Sequence, residues 1–196
     1  MANTRVIAGP LESLPTRQPK TYAAVRLEID NWRWAGVPVL IRAGKELPVR
    51  ATEVRLILRE PPRPAFLPAP SHVPANQIVL RIDPDAGMQL RISALDRDLT
   101  WREVPLISTF SGDLGEPLPP YERLLHAALN GDNRYFARDD AIEESWRILQ
   151  PLIAYPPPVH RYAPGSWGPA AADTLTGNRY AWQLPWPPSA ADALNK

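Results

Sequence analysis

An α+β domain, built on a large, mostly antiparallel sheet with helices packed on it, is the fold class this sequence predicts. Apolar residues recur with a two-residue period in successive runs over the first half of the chain, and helical spacing begins only after the Pro119-Pro120 pair. No strand–helix alternation joins the two regimes, which argues against a parallel doubly wound sheet.

The first run places Val25, Leu27 and Ile29 opposite Ala24, Arg26 and Glu28, a pattern suited to a strand with one buried face, and Asp30-Asn31 stops it. The same period returns in Val37, Val39 and Ile41, in Val54, Leu56 and Leu58, in Ile78, Leu80 and Ile82, and in Met88, Leu90 and Ile92. The Pro84-Asp85-Ala86-Gly87 turn joins the last two at hairpin distance and makes that pair antiparallel. A proline-studded loop fills Pro61 to Pro74. Opposite the apolar positions stand Arg26, Arg55, Arg81 and Arg91, partly balanced by Glu28 and Glu53, and this side reads as the solvated face of the sheet. A nucleic-acid platform would also interleave exposed aromatics, which these strands lack.

After Pro119-Pro120, Tyr121, Leu124, Leu125, Ala128 and Leu129 define an amphipathic helix that Gly131 closes. A second helix begins at Asp139-Asp140, with Asp140 and Glu143 spaced as a capping box and Ile142, Trp146, Leu149 and Ile153 on one face; Pro151 should disturb its last turn. Residues 1–20, rich in proline and without apolar period, are expected to form a flexible N-terminal arm. Residues 21–175 form the folded domain, and 176–196 a divergent tail rich in proline and tryptophan.

The 196 residues suffice for one domain with a sizeable core, and the net charge of +1 gives no footprint for nucleic acid or an anionic membrane. With no cysteine and three scattered histidines, no metal site is expected, and no apolar run reaches the length of a signal peptide or a membrane span. A soluble, cytoplasmic protein is the expectation. Twenty-five prolines mark loops and element ends, because each fixes φ and removes a backbone donor.

Self-contained catalytic equipment is missing from the sequence: no glycine-rich loop stands between a strand and a helix, and no histidine neighbours a serine and an acid. The Gly165-Ser166-Trp167-Gly168 tract follows a proline-rich loop and reads as a turn with two permissive glycines. Lys45 follows Gly44 at a strand end, and Arg50 lies beyond Pro48. If the chain turns at Leu47-Pro48, a point-charge ammonium and a planar guanidinium fork could converge on one phosphate monoester; otherwise they are two exposed charges. Trp32 and Trp34 are read as packing residues that hold the sheet together.

The stretch Ile29-Asp30-Asn31-Trp32-Arg33-Trp34-Ala35-Gly36-Val37-Pro38 through Gly44-Lys45 resembles the C-terminal domain of the glucose-6-phosphate dehydrogenase family. The tract from Asn76 to Ile82 with Pro84, then Tyr121-Glu122-Arg123-Leu124-Leu125, Gly131-Asp132, and Phe136, Arg138 and Asp140, extend the resemblance in order. Trp146-Arg147-Ile148 and Gly165 to Pro169 with Ala172-Asp173 complete it. The resemblance implies oxidation of glucose 6-phosphate by NADP in the pentose phosphate pathway, with Lys45 and Arg50 as substrate contacts and the sheet as a dimer surface. It assigns no catalytic, cofactor-binding or metal residue to this chain, because the cofactor loop and the motif bearing the general base precede the part that is similar. Asp83 stands where the family carries a glutamine, and a carboxylate there repels a phosphate dianion.

Three readings follow from the resemblance. The chain is a substrate-side half that works beside a separate NADP-binding subunit; or a non-catalytic dimerisation or binding protein derived from the enzyme; or a self-sufficient enzyme.

Overall fold

The computed structural model describes residues 5–9, 21–60, 73–115, 118–177 and 180–186, and every strand pair among them is antiparallel. The α+β class holds, with the strands divided between two sheets: β1 (Arg5–Gly9), β2 (Tyr22–Glu28) and β3 (Pro38–Gly44) form one, and β4 (Thr52–Ile57), β5 (Gln77–Asp83), β6 (Gly87–Leu95) and β7 (Trp101–Thr109) the other. Helices α1 (Phe110–Leu114), α2 (Pro120–Leu129) and α3 (Asp139–Ala154) follow, with a 3₁₀ helix at Ala170–Leu175. Of these, α1 packs on β6 and β7, and the 3₁₀ helix packs on β1 and β2. The chain forms two compact units, one from the described residues of Met1–Val49 and Leu124–Gln183, the other from those of Arg50–Arg123 and Leu184–Lys196.

β1 lies within the first twenty residues and pairs along its length with β2, Arg5 opposite Arg26 and Gly9 opposite Tyr22. The loop expected at Pro61 to Pro74 lies mostly outside the described residues. β7 escaped the sequence reading because Pro105 interrupts it. As the edge of its sheet the strand tolerates a residue without an N–H donor. The hairpin at Pro84–Gly87 forms as expected, pairing β5 with β6. α3 starts at Asp139 but without the capping box: Asp140 accepts from Arg138 and from the Ala141 N–H, and no side chain caps the helix. Pro151 does not end it, since the helix runs on to Ala154 and the Tyr155 N–H closes a turn on the Pro151 carbonyl at 3.0 Å.

The covered faces of the two sheets are the reverse of those expected. In the first unit Tyr22 and Ala24 are buried, with Tyr162, Ala172 and Leu175 around them and Leu40, Leu47 and Trp182 packed against the cluster, while Ile29 is exposed. In the second, Val79, Arg81 and Gln89 are buried and Leu80, Ile82 and Leu56 are exposed. The arginine-bearing side is therefore not a solvated face. Arg81, 3% exposed, donates from Nε to the Asp85 carbonyl at 2.5 Å and from Nη2 to Asp85 Oδ2 at 3.0 Å, with its guanidinium 4.3 Å from the centre of the Trp186 ring.

Arg55 donates to the Leu184 carbonyl and to Glu53, whose other oxygen accepts the Trp186 N–H. On the other sheet, Arg26 donates to the Leu175 carbonyl and Glu28. Carbonyls, carboxylates and an indole face replace the water that a buried guanidinium loses, and this makes a polar inner face tolerable. The covering segments come from the last part of the chain, for which the sequence offered no role.

Trp32 does not hold the sheet together. Asn31 Oδ1 accepts from the backbone N–H groups of Arg33 and Trp34, at 3.1 and 2.8 Å, so the chain turns away from the strand direction. Trp32 is left 88% exposed with the Arg33 guanidinium 5.0 Å above its ring, and Trp34 is exposed as well.

Candidate functional site

The end of β3 is held tightly although the side chain it presents is free to reach outward. A Cβ on Gly44 would lie 2.8 Å from Tyr22 Cδ2 and 3.1 Å from Leu47 Cδ2, so only glycine lets the strand pass this close to the core. The next residue, Lys45, donates its N–H to the Thr21 carbonyl at 2.9 Å, and its own carbonyl accepts from the Tyr162 hydroxyl at 3.0 Å. That hydroxyl also reaches Thr21 Oγ1 at 3.1 Å. One residue on, the Glu46 carbonyl accepts the Gly165 N–H at 2.8 Å, and Glu46 takes φ 49, an uncommon conformation that these neighbours hold in place. Leu47 then returns to the core. Three long-range backbone contacts thus fix the base of Lys45, which is exposed and forms no ion pair among the described residues.

Arg50 belongs to the other compact unit. Its fork is engaged by Asp83, Nε to Oδ2 at 3.0 Å and Nη2 to Oδ1 at 3.3 Å, in a bidentate pair open to solvent. The Asp83 carboxylate therefore occupies the guanidinium expected to serve a phosphate. An exposed pair of this kind contributes about 0–1 kcal/mol and exchanges readily for another anion.

Behind Lys45, the Tyr22 ring sits 5.4 Å from that of Tyr162, its hydroxyl buried without a hydrogen-bond partner among the described residues. Burial pushes this phenol up to about 12, an effect that the nearby Arg42 guanidinium partly offsets. Arg42 is itself stacked between two indoles, 4.8 Å from the Trp167 ring centre and 5.0 Å from that of Trp182, and Trp182 Nε1 donates to the Ala172 carbonyl. Tyr162 and Gly165 were not legible as neighbours of Lys45, because each meets the loop from more than a hundred residues away, and Tyr22, on the adjoining strand, carried no local signal of its role. The one local signal was the pair of glycines, and both take positive φ, +76 at Gly165 and +101 at Gly168.

A dinucleotide does not fit this turn. Its glycines would have to leave room for a pyrophosphate, yet the space beside Gly168 is filled by the Tyr22 ring, 2.3 Å from where a Cβ would stand. Among the described residues no cluster of histidines and carboxylates suits a metal, and no helix is long and apolar enough to cross a membrane.

A family model described as "Glucose-6-phosphate dehydrogenase, C-terminal domain" matches residues 12–183. Glucose-6-phosphate 1-dehydrogenase 1 of Mycobacterium tuberculosis is 59% identical over 174 residues, which cover 89% of this chain and 37% of that protein. Among solved structures, the crystal structure of glucose-6-phosphate 1-dehydrogenase from Mycobacterium avium matches with a TM-score of 0.81 and 50% identity, over 93% of this chain and 41% of that one. A glucose-6-phosphate dehydrogenase in complex with its substrate glucose-6-phosphate matches with a TM-score of 0.74 and 28% identity, over 91% and 41%. The chain thus spans well under half the length of the relatives it matches. Through their C-terminal domain, it belongs to the glucose-6-phosphate dehydrogenase family.

Proposed function

We propose that the chain is the substrate-side domain of an NADP-dependent glucose-6-phosphate dehydrogenase of the cytoplasm, active only together with a separate NADP-binding half. Lys45 would contact the sugar phosphate, and Arg50, the second basic residue that the resemblance implies, would be a further substrate contact once an anion displaces Asp83 from it. The observation that carries this reading is the anchored loop: Tyr162, Thr21 and Gly165 fix the backbone at Lys45 while its ammonium stays exposed and unpaired among the described residues. A cation on a fixed base binds an anion with less loss of conformational freedom than one on a mobile loop. A glucose-6-phosphate dehydrogenase of the same fold has been solved with glucose 6-phosphate, which supports this substrate.

The chain's own share of the chemistry is binding and orientation. Hydride transfer to a nicotinamide also needs a general base within hydrogen-bond reach of the sugar hydroxyl, and the described residues supply neither that base nor a dinucleotide cradle. The test is calorimetry of glucose 6-phosphate on the parent and Lys45→Ala chains. A charged hydrogen bond is worth about 1.5–3 kcal/mol, so affinity should fall by about tenfold or more. Equal affinity, or no binding by the parent, rejects the proposal. Glucose 6-phosphate-dependent NADPH formation should require addition of the NADP-binding half, and formation by the chain alone would remove the need for a partner.

A further inference from the structure

Among the described residues, two that are not glycine take positive φ, Leu99 at 55 and Glu46 at 49. Leu99 belongs to the tip of the β6–β7 hairpin: its N–H donates to the Asp96 carbonyl at 3.1 Å, the Asp96 N–H donates to the Thr100 carbonyl at 3.0 Å, and short hairpin loops commonly end on a left-handed residue. Glu46 lies in no hairpin, and its carbonyl is held from far along the chain by the Gly165 N–H. Its neighbours show what the conformation does. Gly44 pairs with Tyr22 and shares its inner side of the sheet, so an extended chain would carry Glu46 inward beside it and leave Leu47 on the outer side with Lys45. The reverse is found: Leu47 packs against the core, and Lys45 and Glu46 are both exposed.

The left-handed residue thus sends an ammonium and then a carboxylate into solvent from a backbone held at Thr21, Tyr162 and Gly165. Glycine takes this conformation without steric cost, yet the position carries a glutamate. Its carboxylate has no hydrogen bond or ion pair among the described residues, Lys45 included, so both charges are open to a ligand. An ionised carboxylate only accepts hydrogen bonds, and the donors that a sugar phosphate brings are its ring hydroxyls. It also repels a phosphate with no hydroxyl to offer, and a site built to bond a hydroxyl discriminates against analogues that lack one. We infer that Glu46 is a specificity-determining residue, which accepts a ring hydroxyl of the sugar whose phosphate lies on Lys45 and disfavours phosphates that carry no sugar. The inference rests on the reading of Lys45 as the phosphate contact, and adds the group that tells one monoester from another.

Calorimetry on the 196-residue chain tests it with glucose 6-phosphate and methyl phosphate, at one ionic strength and at a mildly alkaline pH where both monoesters are dianions. The parent should prefer the sugar phosphate. Glu46→Gly, which adopts the observed backbone freely and should fold as the parent does, should bind glucose 6-phosphate about tenfold less tightly and methyl phosphate about fivefold more tightly. Glu46→Gln accepts a hydroxyl through its amide oxygen without repelling the phosphate, so it should keep most of the affinity for the sugar phosphate and show the same gain for methyl phosphate. An unchanged ratio of the two affinities in Glu46→Gly overturns the inference, including a loss shared equally by both ligands, which would assign Glu46 to holding the loop. A parent that binds neither ligand overturns it together with the reading of Lys45. Lys45→Ala separates the two, because it should weaken both ligands alike. If it weakens neither while Glu46→Gly still loses the sugar phosphate, the phosphate contact fails and the hydroxyl contact stands. If it weakens both while Glu46→Gly leaves their ratio unchanged, the phosphate contact stands and the inference fails.

Discussion

Gly168→Ala should be among the most damaging single-methyl additions this chain can receive. The new Cβ would stand 2.3 Å from Tyr22 Cε2, 2.5 Å from Cζ and 2.8 Å from the hydroxyl oxygen, distances at which something must move. The ring has nowhere to go: it is buried, with Tyr162 on one side and Gly44 within contact distance on another. Overpacking a filled core costs about 1–3 kcal/mol, and holding alanine at φ +101 adds about 1–3 kcal/mol of backbone strain. The sum, about 2–6 kcal/mol, is a large part of the roughly 5–15 kcal/mol that stabilises a typical domain. Urea unfolding followed by far-ultraviolet circular dichroism measures it. A double-mutant cycle with Tyr22→Leu separates the two causes, because removing the ring abolishes the clash and leaves the strain. The coupling energy should be about 1–3 kcal/mol. A Gly168→Ala chain within about 0.5 kcal/mol of the parent, or an equal cost in both backgrounds, refutes the reasoning.

Tyr22→Phe should leave the chain as stable as the parent or about 1 kcal/mol more stable in thermal unfolding, because it removes a buried hydroxyl that has no partner among the described residues. It should also flatten the alkaline limb. The folded-state pKa is raised, so the contribution of Tyr22 is complete below pH 10 and is lost as pH rises toward about 12, a decline the variant should lack. Asp83→Gln removes a carboxylate from beside Arg50, and calorimetry should show glucose 6-phosphate binding about fivefold tighter, from roughly 1 kcal/mol of relieved repulsion; unchanged affinity would separate Arg50 from the substrate. Hydrogen bonds from the Arg134 side chain hold the Asp132 carboxyl below its ordinary value of 3.8. Its contribution is complete above that value and is lost as pH falls through the lower one, so Asp132→Asn should reduce the loss of stability on acidification, measured by denaturant midpoints from pH 5 to 2.

The strands were legible because a period of two survives in their sequence, and the hairpin because proline and glycine mark its turn. Which face would be buried was not legible. Alternation divides a strand into two sides, and the covered side is chosen by the elements that arrive from elsewhere. Here those elements are Trp182, Leu184 and Trp186, and their aromatic rings and carbonyls made the arginine-bearing side the inner one. The place of Lys45 at a strand end could be read because a Gly-Lys step after an alternating run is a local pattern. The groups that hold it could not, because Tyr162 and Gly165 reach it only in the folded chain. Trp32 was misread for a related reason: size and hydrophobicity favour burial, but the turn made by Asn31 decides where the ring points.

The pairing of Tyr22 with Tyr162 also dictates an order of events during synthesis. Thr21 and Tyr162, joined by a hydrogen bond, are 141 residues apart in sequence, and closing so long a loop costs about 4 kcal/mol beyond a constant. The β2–β3 hairpin can zip as soon as Gly44 leaves the ribosome, but the face bearing Tyr22 and Ala24 then has no cover. At about 5–20 residues per second, roughly 6 to 26 seconds pass between the emergence of Gly44 and that of Leu175, when Tyr162, Ala172 and Leu175 complete the core. During that interval the nascent chain presents an unfinished aromatic edge, a substrate for holdase chaperones, and slowing translation between the codons for Gly44 and Leu175 should lower soluble yield more than slowing it before Tyr22.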